Sequence, residues 1–219
     1  MKNKIITFCS IKGGCGKSNL CANFAMYLIG QGIPVVVYDA DIQQTLFRHR
    51  QREMAEHPDV QPPYQLMKFN TDNPEAVKAN LEQLKQVPAV ILFDCPGNIQ
   101  DAGLQHIYAA ADIAVVPTRY DIDNLDATVL FSELFTKISK AKMVFIPNCI
   151  NAIEERREEV AAARDQAYNL LHKYGYITPR IKQSVTVKCY STIAPLDKYQ
   201  RMAVKYAFEK ILDEDDLTP

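Results

Sequence analysis

The residues best suited to chemistry stand at 10–18, Ser-Ile-Lys-Gly-Gly-Cys-Gly-Lys-Ser, at the end of the short apolar run 4–9. Gly13, Gly14 and Gly16 leave backbone N–H groups free to turn inward on phosphate oxygens with no Cβ in the way. Lys17 is spaced to reach the β- and γ-phosphates of a nucleotide, and the Ser18 hydroxyl to ligate Mg2+. A helix opening at 18 adds favourable positive potential. Two features depart from the ordinary G-x-x-x-x-G-K-[ST] pattern. Ile11 stands where the first glycine belongs, and a second lysine, Lys12, precedes the glycines. Taken by itself, Lys12 reads as an ordinary solvated loop charge.

Three other segments carry chemistry of the same kind. Tyr-Asp-Ala-Asp-Ile-Gln-Gln, 38–44, closes an apolar run with two carboxylates. Asp39 and Asp41 either hold a metal-bound or attacking water or cap the next helix. Val-Ile-Leu-Phe-Asp-Cys-Pro-Gly, 90–97, ends a hydrophobic strand in Asp94, an acid suited to organising Mg2+. Pro96-Gly97 then begins a loop able to sense a γ-phosphate. Finally, 115–121 and 146–151 end two more apolar runs. Asn148 is placed to hydrogen-bond adenine, with Pro117 and Thr118 as a wall; the alternative is turn residues with no ligand. Cys15 and Asn19 complete the nucleotide-contact candidates.

The elements that must position these residues alternate in type. Strands are predicted at 4–9, 34–39, 64–69, 89–94, 113–118 and 143–148. Their near-continuous hydrophobicity suits strands buried on both faces. Helix-like segments fill 18–30, 44–56, 74–86, 99–110, 122–139 and 153–173, a spacing that fits right-handed βαβ crossovers. After Gly175 the pattern mixes β-branched residues, prolines and bases before a closing helix at 197–212. There is no repeat or Pro/Gly/Ser linker, so 1–219 reads as one domain. The expected fold class is α/β, a doubly wound, mostly parallel sheet with helices on both faces.

Composition removes several classes. Apolar residues are 47% and charged residues 23% of the 219, ordinary for a soluble globular chain. No apolar run approaches the roughly 20 residues of a membrane span, and the N-terminal residues lack a signal-peptide pattern, so a cytoplasmic protein is expected. Six cysteines form no C-x-x-C pair and read as buried thiols. The net charge of −1 argues neither way about nucleic acid, but it hides an asymmetry. Residues 173–210 hold eight bases (Lys173, Arg180, Lys182, Lys188, Lys198, Arg201, Lys205, Lys210) against Asp197 and Glu209. An acidic tail, 213–219, follows. Arg48, Arg50 and Arg52 read as either a partner surface or solvated helix charges.

Together, K-G-G-x-G-K-[ST], D-x-D-x-Q and apolar-D-x-P-G resemble the deviant Walker A ATPases of the ParA/MinD family, from residue 2 to about 150 and more loosely beyond. The resemblance implies ATP and Mg2+ as cofactors and an ATP-dependent homodimer. It gives Lys12 the part of a signature lysine that crosses the dimer interface to the partner's phosphates. Ser18 and Asp94 match the magnesium positions, with Asp39 a further metal candidate. Asp41 matches the water-positioning acid and Lys17 the phosphate lysine. Ile42 departs from the D-x-D-P-Q form at its proline.

Within that family, an acidic tail does not suit an anionic bilayer, and no second cysteine partners Cys95 as a bridging cluster needs. The basic stretch instead suits non-specific DNA contact through Arg180, Lys182, Lys188 and Arg201. The implied role is a short partition ATPase, nucleoid-associated when ATP-bound, with a ParB-like partner. With no segment before the first strand, operator binding is not expected. A ParA-like positioner of protein cargo or regulator of conjugation, and a metabolite kinase or ligase of the dethiobiotin synthetase type, are the alternatives.

Overall fold

A computed structural model describes residues 3–153 and 156–213. Seven strands form one sheet: β1 Lys4–Phe8, β2 Val35–Asp39, β3 Gln65–Lys68, β4 Val90–Asp94, β5 Ile113–Thr118, β6 Lys142–Pro147 and β7 Gly175–Ile177. Their order is β3-β2-β4-β1-β5-β6-β7, and every pairing is parallel. The helices are α1 Lys17–Gly30, α2 Thr45–Glu56, α3 Pro74–Leu84, α4 Ala102–Ala110, α5 Ile122–Ile138, α6 Glu158–Leu171, α7 Val185–Lys188 and α8 Lys198–Asp213.

The continuous apolar runs have a direct cause: successive side chains of a strand point to opposite faces, and here both faces are covered. Along β4, Val90 and Leu92 enter a core with α1, α2 and α8, whereas Ile91 and Phe93 enter a second core with α3, α4, α5 and α6. Phe24 of α1 meets Phe208 of α8 edge-on at 5.0 Å, so the last described helix packs against the first. Truncating such a buried ring costs about 3–5 kcal/mol.

The expected doubly wound sheet is therefore present, with corrections at its margins. The seventh strand, β7, falls in a stretch whose pattern did not suggest one, and Met143 of β6 aligns with Gly175. The Met143 carbonyl fills the space a Cβ at 175 would need, so only glycine fits there. Two helices start later than expected, at Ala102 and Glu158. Of the acidic tail, 214–219 lie outside the described residues.

Helix starts divide into two kinds. Asn73, Asp101 and Asp121 cap α3, α4 and α5 with side-chain oxygens. Helix α1 begins after Gly16, at φ 96°, and has no side-chain cap. Its first N–H groups are left for another acceptor. This uncapped start follows β1, beside which the sheet order reverses direction, the place where open α/β sheets take ligands.

Candidate nucleotide site

The phosphate loop is held from inside. The Cys15 thiol is buried and donates to the Lys12 carbonyl at 3.2 Å, while the Lys12 N–H donates to Ser10 Oγ at 3.2 Å. Cys15 thus contributes its backbone to the loop and its side chain to the loop's shape. Asn148, 2% exposed, donates Nδ2 to the Cys15 carbonyl at 2.9 Å. A Cβ on Gly16 would collide with that amide, and its left-handed φ already favours glycine. Gly13 and Gly14 face open space. Lys12, Lys17 and Ser18 are partly buried, and neither lysine forms an ion pair among the described residues.

Asp94 ends β4 beside this loop. It is fully buried and neither oxygen accepts a hydrogen bond. Burial pushes its carboxyl up to about 8, although the nearby Ser18 hydroxyl and Lys17 ammonium pull the other way. A carboxyl so raised is mostly protonated at neutral pH, and a cation beside it would favour its ionised form. Asp94 and Ser18 offer hard oxygen donors that fit Mg2+. No group of three or more His, Cys, Asp or Glu side chains suited to a metal occurs among the described residues. Gly97 lies against the loop too: a Cβ there would sit 3.2 Å from the Ile11 carbonyl.

Asp39 is different, because its oxygens already accept backbone hydrogen bonds. Its Oδ1 accepts from Asp41 N–H at 3.1 Å and its Oδ2 from Phe47 N–H at 2.9 Å. Both oxygens brace the turn into α2. Asp41 is partly buried, and its Oδ1 accepts from Gln43 N–H at 2.8 Å.

A cavity of about 320 Å³ adjoins the loop, lined by Gly14, Gly16, Asn148, Arg119, Lys182 and Lys188 among others. The expected wall of Pro117 and Thr118 is not part of it. Thr118 is 1% exposed and shares a 3.0 Å hydrogen bond with Thr128 of α5. The next residue, Arg119, forms the wall and donates Nη2 to the Gly14 carbonyl at 3.0 Å. An arginine one position beyond a strand end gave no sequence signal distinct from any loop charge. Asn19 also lines the cavity, but its Nδ2 donates to the carbonyls of Val187 and Lys188, and its Oδ1 accepts from Asn23. Those bonds brace α7.

The four bases offered as DNA contacts have different neighbours. Lys182 and Lys188 edge the cavity just described. Arg180 lines another, with Arg164 and Tyr168. The Arg201 guanidinium reaches the C-terminal end of α1, where a Cβ on Gly30 would lie 3.3 Å from it.

A model of the CobQ/CobB/MinD/ParA nucleotide-binding domain matches residues 6–188. The chain belongs to this family. No curated protein sequence matches significantly. Among solved structures, the ATP complex of a Cyanothece McdA variant superposes with a TM-score of 0.75 at 18% identity, covering 97% of this chain and 95% of that one. A Borrelia burgdorferi plasmid partition protein bound to AMPPNP gives 0.76 at 17%, covering 98% and 100%. MinD from Pyrococcus horikoshii with Mg-ADP gives 0.67 at 20%, covering 98% and 97%. At these identities the likeness establishes the ParA/MinD fold. No helix among the described residues is long and apolar enough to cross a membrane.

Proposed function

We propose that this ParA/MinD-family protein is an ATP-dependent partition ATPase, forming a homodimer on binding ATP with Mg2+, holding DNA without sequence preference and releasing it on hydrolysis. The observation that carries the nucleotide chemistry is the unpartnered Asp94 carboxylate beside an uncapped helix start and two unpaired lysines. The partition role is supported by the motif resemblance, by a neighbour described as a plasmid partition protein, and by the exposed bases at the C-terminal end.

In this reading the loop N–H groups and Lys17 hold the phosphates, and Asp41 orients the attacking water. Asn148 has its amide nitrogen tied to Cys15, which leaves Oδ1 as an acceptor for the exocyclic amine of adenine. Ser18 and Asp94 hold Mg2+, whose charge offsets the phosphate oxygens. Lys12 reaches the partner protomer's phosphates. Two polyphosphates facing each other repel strongly where water is sparse, so a lysine from each side favours pairing only when both sites are filled. A ParB-like partner stimulates hydrolysis.

The test is retention of a random duplex with Mg-ATPγS against ADP, at low and moderate salt. ATPγS-dependent binding that weakens steeply with salt is expected. Reversing charge at Lys198, Arg201 and Lys205 avoids the nucleotide cavity and abolishes it. Equal retention with ADP, or in the reversed variant, contradicts the DNA assignment.

A second reading, positioning of a protein cargo, rests on the outer face of α8. Tyr199, Met202 and Tyr206, spaced at i, i+3 and i+7, are 70%, 62% and 66% exposed. Duplex phosphates have no use for that apolar stripe, whereas protein interfaces are enriched in Tyr and Met. DNA retention surviving Tyr199→Ser with Tyr206→Ser while cargo positioning in cells fails favours this reading.

A further inference from the structure

Of the three arginines of α2, Arg48 and Arg52 are exposed, but Arg50 is 7% exposed. Its guanidinium donates Nε to Thr192 Oγ1 at 2.8 Å, Nη2 to the Thr192 carbonyl at 2.8 Å and Nη1 to the Tyr64 carbonyl at 3.0 Å. It also lies over the Tyr64 ring, 4.6 Å from its centre. One turn further on, Glu53 Oε2 accepts from the Thr192 N–H at 2.8 Å and from the Thr192 hydroxyl. Thr192, fully buried, is thus gripped at its amide, hydroxyl and carbonyl by two side chains on one face of α2. Burial alone would raise the Glu53 carboxyl, yet hydrogen bonds from Ser191 and Thr192 hold it below its ordinary value. The His49 ring packs on Tyr190 at 4.6 Å between centroids, adding a further contact to the same segment.

The other end of α2 is fastened to the site. Asp39 takes the Phe47 N–H, and the same Asp39 takes the N–H of Asp41. Beyond the clasp, Gln200 of α8 donates to the carbonyls of Thr186 and Cys189. Asn19, in the first turn of α1, holds the last carbonyls of α7. Residues 186–200 therefore hang from two points, one on the phosphate-loop helix and one on the helix that follows the Asp39–Asp41 turn.

We infer that Arg50 and Glu53 are positioning residues that carry the setting of the Asp39–Asp41 turn through α2 to Thr192, so that nucleotide state sets the attitude of α7 and α8. This deepens the nucleotide-switch reading and rests on it. A helix of twelve residues is a rigid link of about 18 Å. With its amide, hydroxyl and carbonyl all bonded to α2, Thr192 has few alternative partners and follows the helix when it moves. The surface that responds is the one bearing Lys198, Tyr199, Met202 and Lys205.

Hydrogen–deuterium exchange on the full chain, with Mg-ATPγS against ADP, reads this directly. In the wild type, amides of 185–205 are expected to exchange about fivefold more slowly with Mg-ATPγS. Thr192→Val keeps the side chain's shape and removes the hydroxyl. It should bind a fluorescent ATP analogue within about threefold of wild type yet lose the nucleotide-dependent difference. Thr192→Ser, which retains the hydroxyl, should restore it. Glu53→Gln serves if Thr192→Val does not fold, with the same expectation. A full nucleotide-dependent difference in Thr192→Val or Glu53→Gln overturns the coupling. So does wild-type protein that binds the analogue with no change at 185–205. Wild type that fails to bind the analogue overturns the switch reading itself, a distinguishable result.

Discussion

Asp39 and Asp94 end adjacent parallel strands in direct register, both nearly inaccessible, and they have opposite circumstances. Asp39 accepts two backbone N–H groups, although burial raises its carboxyl too. Asp94 accepts none, and burial lifts its carboxyl to about 8. The difference teaches that a carboxylate's place at the sheet edge does not assign it to the metal. The two ends differ in how far the protein itself has already satisfied the carboxyl group. The end of β2 braces the start of α2, whereas the end of β4 leaves its carboxyl without a partner.

The sharpest test of that contrast is Asp94→Asn. It should abolish Mg2+-dependent turnover by about a thousandfold, measured as phosphate release, because the protein's own carboxylate at the metal is lost. The same variant should change stability against pH. Asp94 has a folded value above its unfolded one, so the protonated form favours the fold. Without nucleotide, stability is full below about pH 4, declines as pH rises towards 8, and is flat beyond, by on the order of 5 kcal/mol at most. Denaturant melts of Asp94→Asn should lack that slope, and Mg-ATP should offset it in the wild type. An unchanged slope in the variant would show that Asp94 is not the orphan.

Asp41→Ala should lower turnover about a hundredfold while ATP affinity stays within about threefold, as expected for a group acting on water rather than on ground-state nucleotide. Normal turnover would remove Asp41 from the chemistry. Asp39→Ala sharpens the comparison from the structural side. It should cost about 1–2 kcal/mol in urea melts through loss of the bonds at the start of α2, with no change in Mg2+ requirement. A changed Mg2+ requirement would return Asp39 to the metal. The smallest effect is expected at Asn19→Ala, about 1 kcal/mol of stability with ATP affinity nearly unaltered, against about a tenfold weaker affinity for Asn148→Ala.

Much of this architecture was legible because its signals are local. Both faces of the central strands are covered, so 89–94 and 113–118 read as unbroken apolar runs. The phosphate loop and Asp94 were legible because glycines, G-K-S and a strand-ending acid each have a chemical reason for their type. The misses have non-local causes. Arg48, Arg50 and Arg52 look alike in sequence; Arg50 alone is buried, by Tyr64 and by Thr192, the latter 142 residues away. Pro117 and Thr118 were chosen as a wall for their position at a strand end, but Thr118 is claimed by Thr128 and the wall falls to Arg119. Strand β7, three residues starting at a glycine, is too short for periodicity to register. The basic count at 173–210 was real, yet the chain path sends Lys182 and Lys188 to the cavity beside the loop and Arg201 to the end of α1.

The claim at the centre is that the extra lysine makes pairing depend on nucleotide. Sedimentation velocity of wild type and Lys12→Ala, each with Mg-ATPγS and with ADP, measures it most directly. The account predicts a dimer only for wild type with Mg-ATPγS, and a monomeric Lys12→Ala that still binds the analogue. A Lys12→Ala protein that dimerises as readily as wild type, or a wild type whose mass ignores the nucleotide, would contradict it.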